Sequence, residues 1–174
     1  MTSFKGFGFD LLFKDNADQA GVQAEFLVAQ STESLDTQGK PVPAEGTEDL
    51  PSEQPQRESS ELALNKWRSH LIEITKDHPL KAVAMAWTEV QLKLETLYGS
   101  NRARPLGEFS GAFLIGSLVA EGVLMDSLAN LLLSLHRGKT SSVLTTDITS
   151  ESAVTYVNSA SVALGFMSTL PAST

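Results

Sequence analysis

Apolar residues recur every three or four positions through most of the chain after residue 60. This spacing is typical of amphipathic helices that share one core. One example is the stripe of Leu64, Trp67, Leu71 and Ile74. We therefore predict a mainly α fold, an antiparallel helical bundle of about five helices. The predicted helices cover about residues 61–76, 80–98, 108–121, 125–137 and 150–170.

Residues that favour helix ends separate these segments. Ser60 is a candidate N-cap for the first helix, and Thr149 or Ser150 for the last one. A proline follows His78, and the residue before a proline disfavours helical backbone angles. Gly122 is predicted to break an apolar stretch into two helices, and Gly138 to begin a Ser/Thr-rich loop.

The first 30 residues have a different pattern and are interpreted as an N-terminal arm. Phenylalanine and leucine alternate with other residues up to Phe13, and apolar residues alternate again between Val22 and Val28. A period of two predicts strands, which would form a small hairpin. A helix from Ala17 to Gln30 is the alternative. The arm either packs on the main domain or serves as an edge strand or partner-docking arm.

Residues 31–60 are predicted to be a flexible acidic linker, followed by the bundle at 61–174. This segment has four prolines and almost no large apolar side chains, so it cannot bury enough surface to offset the entropy of ordering. It also carries most of the net charge of −8. Residues 15–58 contain ten acidic and two basic residues, whereas the rest has eleven of each.

Composition excludes several classes of function. The chain has no cysteine, so disulfides, Cys-based zinc sites and cysteine nucleophiles are excluded. The acidic balance argues against a protein that coats nucleic acid with a basic face. The histidines, His70, His78 and His136, lack the i, i+4 spacing of a helical metal site, and no glycine pattern fits a phosphate loop. We expect no metal and no cofactor.

Residues 111–135 form the longest apolar stretch, and they are numerous enough to span a bilayer. Glu121 and Asp126 lie in its middle, where each acid would cost roughly 2.5–3.5 kcal/mol in a membrane. We therefore predict two buried helices and no membrane span. The first 14 residues lack the apolar core of a signal peptide, so the expected location is the cytoplasm.

The sequence His136-Arg137-Gly138-Lys139 ends a strongly apolar helix and is the first candidate for chemistry. Cations at this end also complement the helix dipole, which needs no further function. Glu89 is a second candidate. It can pair with Lys93 at i, i+4, or it can face a groove beside Arg137.

Three segments between residues 78 and 167 resemble the HEPN-type family of small helical bundles. HPLKAVAMAWTEVQLKLETL is similar to a family helix with the pattern P-x-x-A-(I/V)-x-x-A-W-x-x-(V/L)-(E/Q). LLLSLHRGKTSSV stands where members carry L-x-x-L-R-N-x-x-x-H. DITSESAVTYVNSASVALGFM is similar to the closing helix. In this family the Arg and the later His form a metal-independent ribonuclease site, which two subunits bring together.

The resemblance assigns the family arginine to Arg137, but the catalytic histidine is missing. Gly138 stands where asparagine is usual, Ser142 stands where the histidine is expected, and no histidine follows it. His136 lies about 100° away from Arg137 around a helix, so it is not a simple substitute. A hydroxyl group does not exchange protons near pH 7 as an imidazole does.

These observations lead to three hypotheses. The first is a non-catalytic HEPN-like interaction or regulatory module, forming a homodimer through Leu131–Lys139 and Tyr156, in defence, counter-defence or toxin–antitoxin systems. The second is a ribonuclease, or a nucleotide- or RNA-binding protein, that uses Arg137 with Lys139 and His136. The third is an acidic decoy that binds a basic protein partner through residues 31–60.

Overall fold

The structure is a computed structural model that describes residues 7–36, 54–99, 109–144 and 148–170. Six α-helices account for most of these residues. These ranges contain no β-strand, which confirms the predicted mainly α bundle. The helices are α1 (Phe7–Asp36), α2 (Gln54–Asp77), α3 (Pro79–Gly99), α4 (Gly111–Ala120), α5 (Asp126–Ser142) and α6 (Ser150–Thr169).

Helix α6 is the centre of the bundle and packs against α1, α2, α3 and α5. Its buried face is rich in small residues, among them Ala153, Ala160 and Ala163, which allow the neighbouring helices to approach closely. The Ser150 hydroxyl donates a hydrogen bond to the carbonyl of Thr75, which fixes the start of α6 against the end of α2. Gly165, near the end of α6, lies close to Leu64 in the first half of α2, so α2 and α6 run antiparallel.

Helix α1 is part of the bundle, and the predicted strands are not found in its described residues. Its buried residues are spaced by four, three, four and three positions, which is a helical stripe. They are Phe13, Ala17, Ala20, Ala24 and Leu27. The helix that the sequence left as an alternative at residues 17–30 is therefore correct, and it is longer than predicted. It packs against α5 and α6.

Both ends of the predicted linker, residues 31–60, are helical in the structure. Residues 31–36 belong to α1 and residues 54–60 belong to α2, so Ser60 lies inside a helix and does not cap it. Pro55 does not prevent this, because a proline is tolerated in the first turn of a helix. Residues 37–53, the central part of the predicted flexible linker, lie outside the described residues.

Gly138 does not begin a loop, because α5 continues to Ser142. A Cβ atom at Gly138 would lie 3.1 Å from Cε2 of the Tyr156 ring, so the glycine permits close packing of α5 on α6. Two other predicted boundaries are confirmed. Gly122 separates α4 from α5 with a positive φ of 72°. The Thr149 hydroxyl accepts a hydrogen bond from the backbone N–H of Ser152 and caps α6.

The long apolar stretch is divided between α4 and the first half of α5, with Glu121 at the C-cap of α4 and Asp126 at the start of α5. Among the helices of the described ranges, none combines the length and hydropathy that crossing a membrane requires.

Candidate functional site

The five residues predicted to carry chemistry do not converge on one site. His136, Arg137, Lys139 and Ser142 all lie in the second half of α5. Arg137 is exposed to solvent, whereas Ser142 is buried. Because Arg137 and Ser142 point to different sides of one helix, no arrangement of acid, base and phosphate-binding cation results from them.

His136 packs against Trp87 of α3 and is half-buried. The centroids of the two rings are 5.1 Å apart, with an angle of 44° between the planes. Its Nδ1 is buried without a hydrogen-bond partner among the described residues and faces the start of α4. A Cβ atom at Gly111 would lie 3.1 Å from this nitrogen. Burial lowers the pKa of His136, and the positive charges of Lys139 and Arg137 lower it further.

The lowered pKa of His136 predicts how stability depends on pH. In the unfolded chain the imidazole binds a proton as the pH falls below about 6.5, whereas the folded chain resists this. The unfolded state then binds more protons, so the free energy of unfolding decreases as the pH falls from 7.5 to 5.5. Urea unfolding at both pH values measures the decrease. His136→Gln should reduce this decrease. A decrease in His136→Gln as large as that in the unsubstituted chain would contradict the assignment.

The hydroxyl groups near the end of α5 bind its own backbone. The Ser142 hydroxyl donates to the carbonyl of Lys139 at 2.6 Å. The Thr140 and Ser141 hydroxyls donate to the carbonyls of His136 and Arg137, both at 2.9 Å. The hydroxyl groups of this Ser/Thr-rich sequence therefore donate hydrogen bonds to backbone carbonyls near the end of the same helix. Ser142 stands in this role where the family histidine is expected.

Glu89 lies on the outer side of α3 and is exposed. It is two residues from Trp87, which faces His136 of α5. Two positions along a helix correspond to a rotation of about 200°, so Glu89 points away from α5. The predicted groove beside Arg137 therefore does not include this carboxylate.

A row of hydrogen-bonded polar side chains on α3 was not predicted. The indole Nε1 of Trp87 donates to Oε1 of Gln91, and Nε2 of Gln91 donates to Oε1 of Glu95, both at 3.0 Å. Glu95 is buried. The i, i+4 spacing of these residues is the sequence signal that could have indicated the row. The bonds satisfy Trp87 and Gln91 within α3.

A groove of about 510 Å³ lies between α1 and α6. Its lining residues are Gly21, Ala24, Glu25, Val28, Ala29, Thr155, Asn158, Ser159 and Val162. Val22 and Phe26 are also exposed on this helix, at 67% and 57%, but neither belongs to the lining. Two positions along a helix correspond to a rotation of about 200°, so Phe26 points away from Val28 and the groove.

The groove is closed at one end by a direct contact between the two helices. A Cβ atom at Gly21 would lie 3.2 Å from Cγ2 of Thr155, so α1 and α6 touch there. The lining continues from this contact towards Val28 of α1 and Val162 of α6, which shows that these two helices run parallel. We call this concavity the α1 surface.

No cluster of three or more metal-ligating side chains occurs in the four described ranges. Comparisons of the chain with models of known protein families, with curated proteins and with solved structures found no match. A function for the chain is therefore inferred from its own residues and their geometry.

Proposed function

We propose that the chain is a non-catalytic protein-interaction module built on a HEPN-type helical bundle. The α1 surface carries this proposal. Soluble domains normally expose large apolar side chains singly, and contiguous exposed apolar surfaces mark interaction sites. The lining of the α1 surface is apolar except for Glu25, Asn158 and the hydroxyl groups of Thr155 and Ser159, and its Val28 is 46% exposed.

The positions of the candidate catalytic residues support a non-catalytic role. The imidazole of His136 packs on Trp87, and burial disfavours its protonated form. Ser142 uses its hydroxyl within α5. A ribonuclease of this type needs a group that exchanges protons with the ribose and the leaving oxygen, next to a cation that stabilises the phosphate. Exposed Arg137 provides only the cation.

The homodimer that the family resemblance implies is also part of the proposal, but through a different surface. Tyr156 and the leucines Leu131, Leu132 and Leu135 are buried in the core of one chain. A second copy would therefore contact the exposed side of α5, where Arg137 and Asn130 lie. Binding of a second copy there leaves the α1 surface accessible.

An RNA-integrity assay tests the proposal against the ribonuclease alternative. We expect fluorescently labelled single-stranded RNA to remain intact with micromolar purified full-length chain over several hours. The mass of the same sample, measured by light scattering, shows whether the tested species has the 18.7 kDa of one chain or the mass of two. Dimer formation matters because the family site is shared between two subunits.

Two arginine variants make this assay specific. Arg137→Ala removes the family arginine, and Arg68→Ala removes an exposed arginine of α2 that the ribonuclease alternative does not use. RNA cleavage that disappears in Arg137→Ala and persists in Arg68→Ala would overturn the non-catalytic proposal. Cleavage that is equal in all three proteins would indicate a contaminating nuclease, and intact RNA in all three supports the proposal.

A further inference from the structure

We infer that the groove between α1 and α6 binds an amphipathic helix of another protein, with its apolar face in the groove and Lys or Arg residues beside that face. This inference rests on the proposed interaction function and names the partner chemistry. It follows from the dimensions of the groove, the state of its polar groups and the charges along its two walls.

The dimensions of the groove fit the apolar face of a short helix. The lining on α1 runs from Gly21 to Ala29, which corresponds to about 12 Å along a helix axis, or about two turns. An amphipathic helix that binds a groove inserts residues spaced at i, i+3 or i+4, and i+7, which also span about two turns. The volume of about 510 Å³ lies within the range of about 300–1,000 Å³ that is typical of binding pockets.

The wall formed by α6 is less polar than its sequence suggests, because its hydroxyl groups already have partners. The Ser159 hydroxyl donates to the carbonyl of Thr155 at 2.9 Å. The Thr155 hydroxyl donates to the carbonyl of Glu151 at 3.2 Å. Both donors are satisfied within α6, so covering them with apolar side chains leaves no unpaired hydroxyl hydrogen. Val28 and Val162 add apolar side chains on opposite walls, and Glu25 and Asn158 are the other polar side chains of the lining.

The charge in the groove lining and the charges beyond its closed end are acidic, and they favour a basic partner. Glu25 is the single charged residue of the lining. Beyond the closed end, Asp18 lies about one turn before Gly21 on α1, and Glu151 lies about one turn before Thr155 on α6. Among the side chains described on these helices, the basic residue is Lys14, at the far end of α1. Lysine or arginine beside the apolar face of the bound helix would complement these acids and favour association.

The same charges argue against two other occupants of the groove. A symmetric dimer places the same surface of both copies in contact, which would bring Glu25 and Asp18 of each copy towards their equivalents. The sequence of residues 37–53 contains four acids and one base, so it has the same sign of charge as the groove. A basic helix from a different protein is the occupant that the charges favour.

Two model peptides test this inference on the full-length chain. The first is a fluorescein-labelled 14-residue helical peptide with leucine at positions i, i+3, i+4 and i+7 and lysine at the flanking positions. The second has glutamate in place of every lysine. At low ionic strength we expect the lysine peptide to bind at least about tenfold more tightly by fluorescence anisotropy, a difference that salt reduces.

Variants of the chain assign the binding to the groove. Glu25→Lys should weaken binding of the lysine peptide about tenfold and reverse the preference between the peptides. Val28→Ser should weaken binding of both peptides, because it removes an apolar side chain from the lining and adds no charge. Leu92→Ser on α3 is the matched control, because Leu92 and Val28 are similarly exposed, at 44% and 46%. It should leave both affinities unchanged, since Leu92 is not part of the groove lining.

Several outcomes would overturn the inference. They are equal affinity for the two peptides, tighter binding of the glutamate peptide, no binding of the lysine peptide, or binding that Val28→Ser leaves unchanged. A doubled mass in solution that Val28→Ser returns to 18.7 kDa would assign the groove to a second copy instead. The proposed function fails on a different result, which is RNA cleavage that depends on Arg137. The two failures can therefore be distinguished.

Discussion

Replacing Tyr156 with alanine is expected to lower the free energy of unfolding by about 3–5 kcal/mol, the range for truncating a large buried aromatic side chain. Tyr156 is fully buried where α1, α5 and α6 meet. Its ring stacks with Phe13 of α1 at a centroid distance of 6.0 Å and lies against Gly138 of α5. Removing the ring leaves a cavity among helices that cannot all close on it.

The variant Tyr156→Phe separates the contribution of the hydroxyl from that of the ring. The hydroxyl donates a hydrogen bond of 2.9 Å to the carbonyl of Leu135, and burial raises the pKa of Tyr156, which keeps the donor protonated. Its loss should cost about 0.5–1.5 kcal/mol. Urea unfolding measures both variants at pH 7.5. A Tyr156→Ala effect as small as that of Tyr156→Phe would contradict the packing described at this junction.

Replacing Gly111 with alanine is expected to lower the free energy of unfolding by about 1–3 kcal/mol through overpacking. A Cβ atom at Gly111 would lie 2.4 Å from Cζ2 and 2.9 Å from Cη2 of Trp87. The indole ring is 3% exposed and hydrogen-bonded to Gln91, so it has little freedom to move away. Either α4 shifts or Trp87 leaves its position, and both disturb the contact with His136.

Gly116 of the same helix provides the matched control. A Cβ atom at Gly116 would contact nothing within 4 Å, and the residue is exposed. Gly116→Ala should therefore stabilise α4 by up to about 1 kcal/mol, because alanine favours the helix interior more than glycine does. Thermal and urea unfolding should therefore show that Gly111→Ala lowers the free energy of unfolding and that Gly116→Ala raises it. A change of the same sign in both variants would contradict the placement of α4 against Trp87.

The sequence predicted α3 and α6 almost to their ends. Helix α3 has a stripe of large apolar residues with helical spacing, and in α6 the large residues Tyr156, Val157 and Met167 continue the spacing of its alanines. Helix α1 gave a weaker signal. Three of its buried residues are alanines, which add little to a hydropathy pattern, while exposed Val22, Phe26 and Val28 suggest alternation. The bundle therefore begins with α1 and not at residue 61, because small residues can pack a helix closely without large apolar side chains.

The roles of Gly138 and His136 could not be predicted, because each depends on a residue that is distant in sequence. Gly138 looked like the start of a loop because Tyr156, which packs on it, is 18 positions away. His136 looked available for chemistry because its contact with Trp87 joins two different helices. The groove was also beyond prediction, since its two walls come from residues 21–29 and 155–162. Only the folded bundle places these residues together.

Nuclear magnetic resonance of the ¹⁵N-labelled full-length chain tests the central claim most directly, by locating the interaction surface residue by residue. On addition of the lysine peptide, we predict the largest amide shifts within residues 21–29 and 155–162, on the two walls of the groove. Amides around Arg137 and Lys139 of α5 should shift least. Largest shifts at the end of α5, or no shifts in α1 and α6 at saturating peptide, would contradict the assignment of the α1 surface as the interaction site.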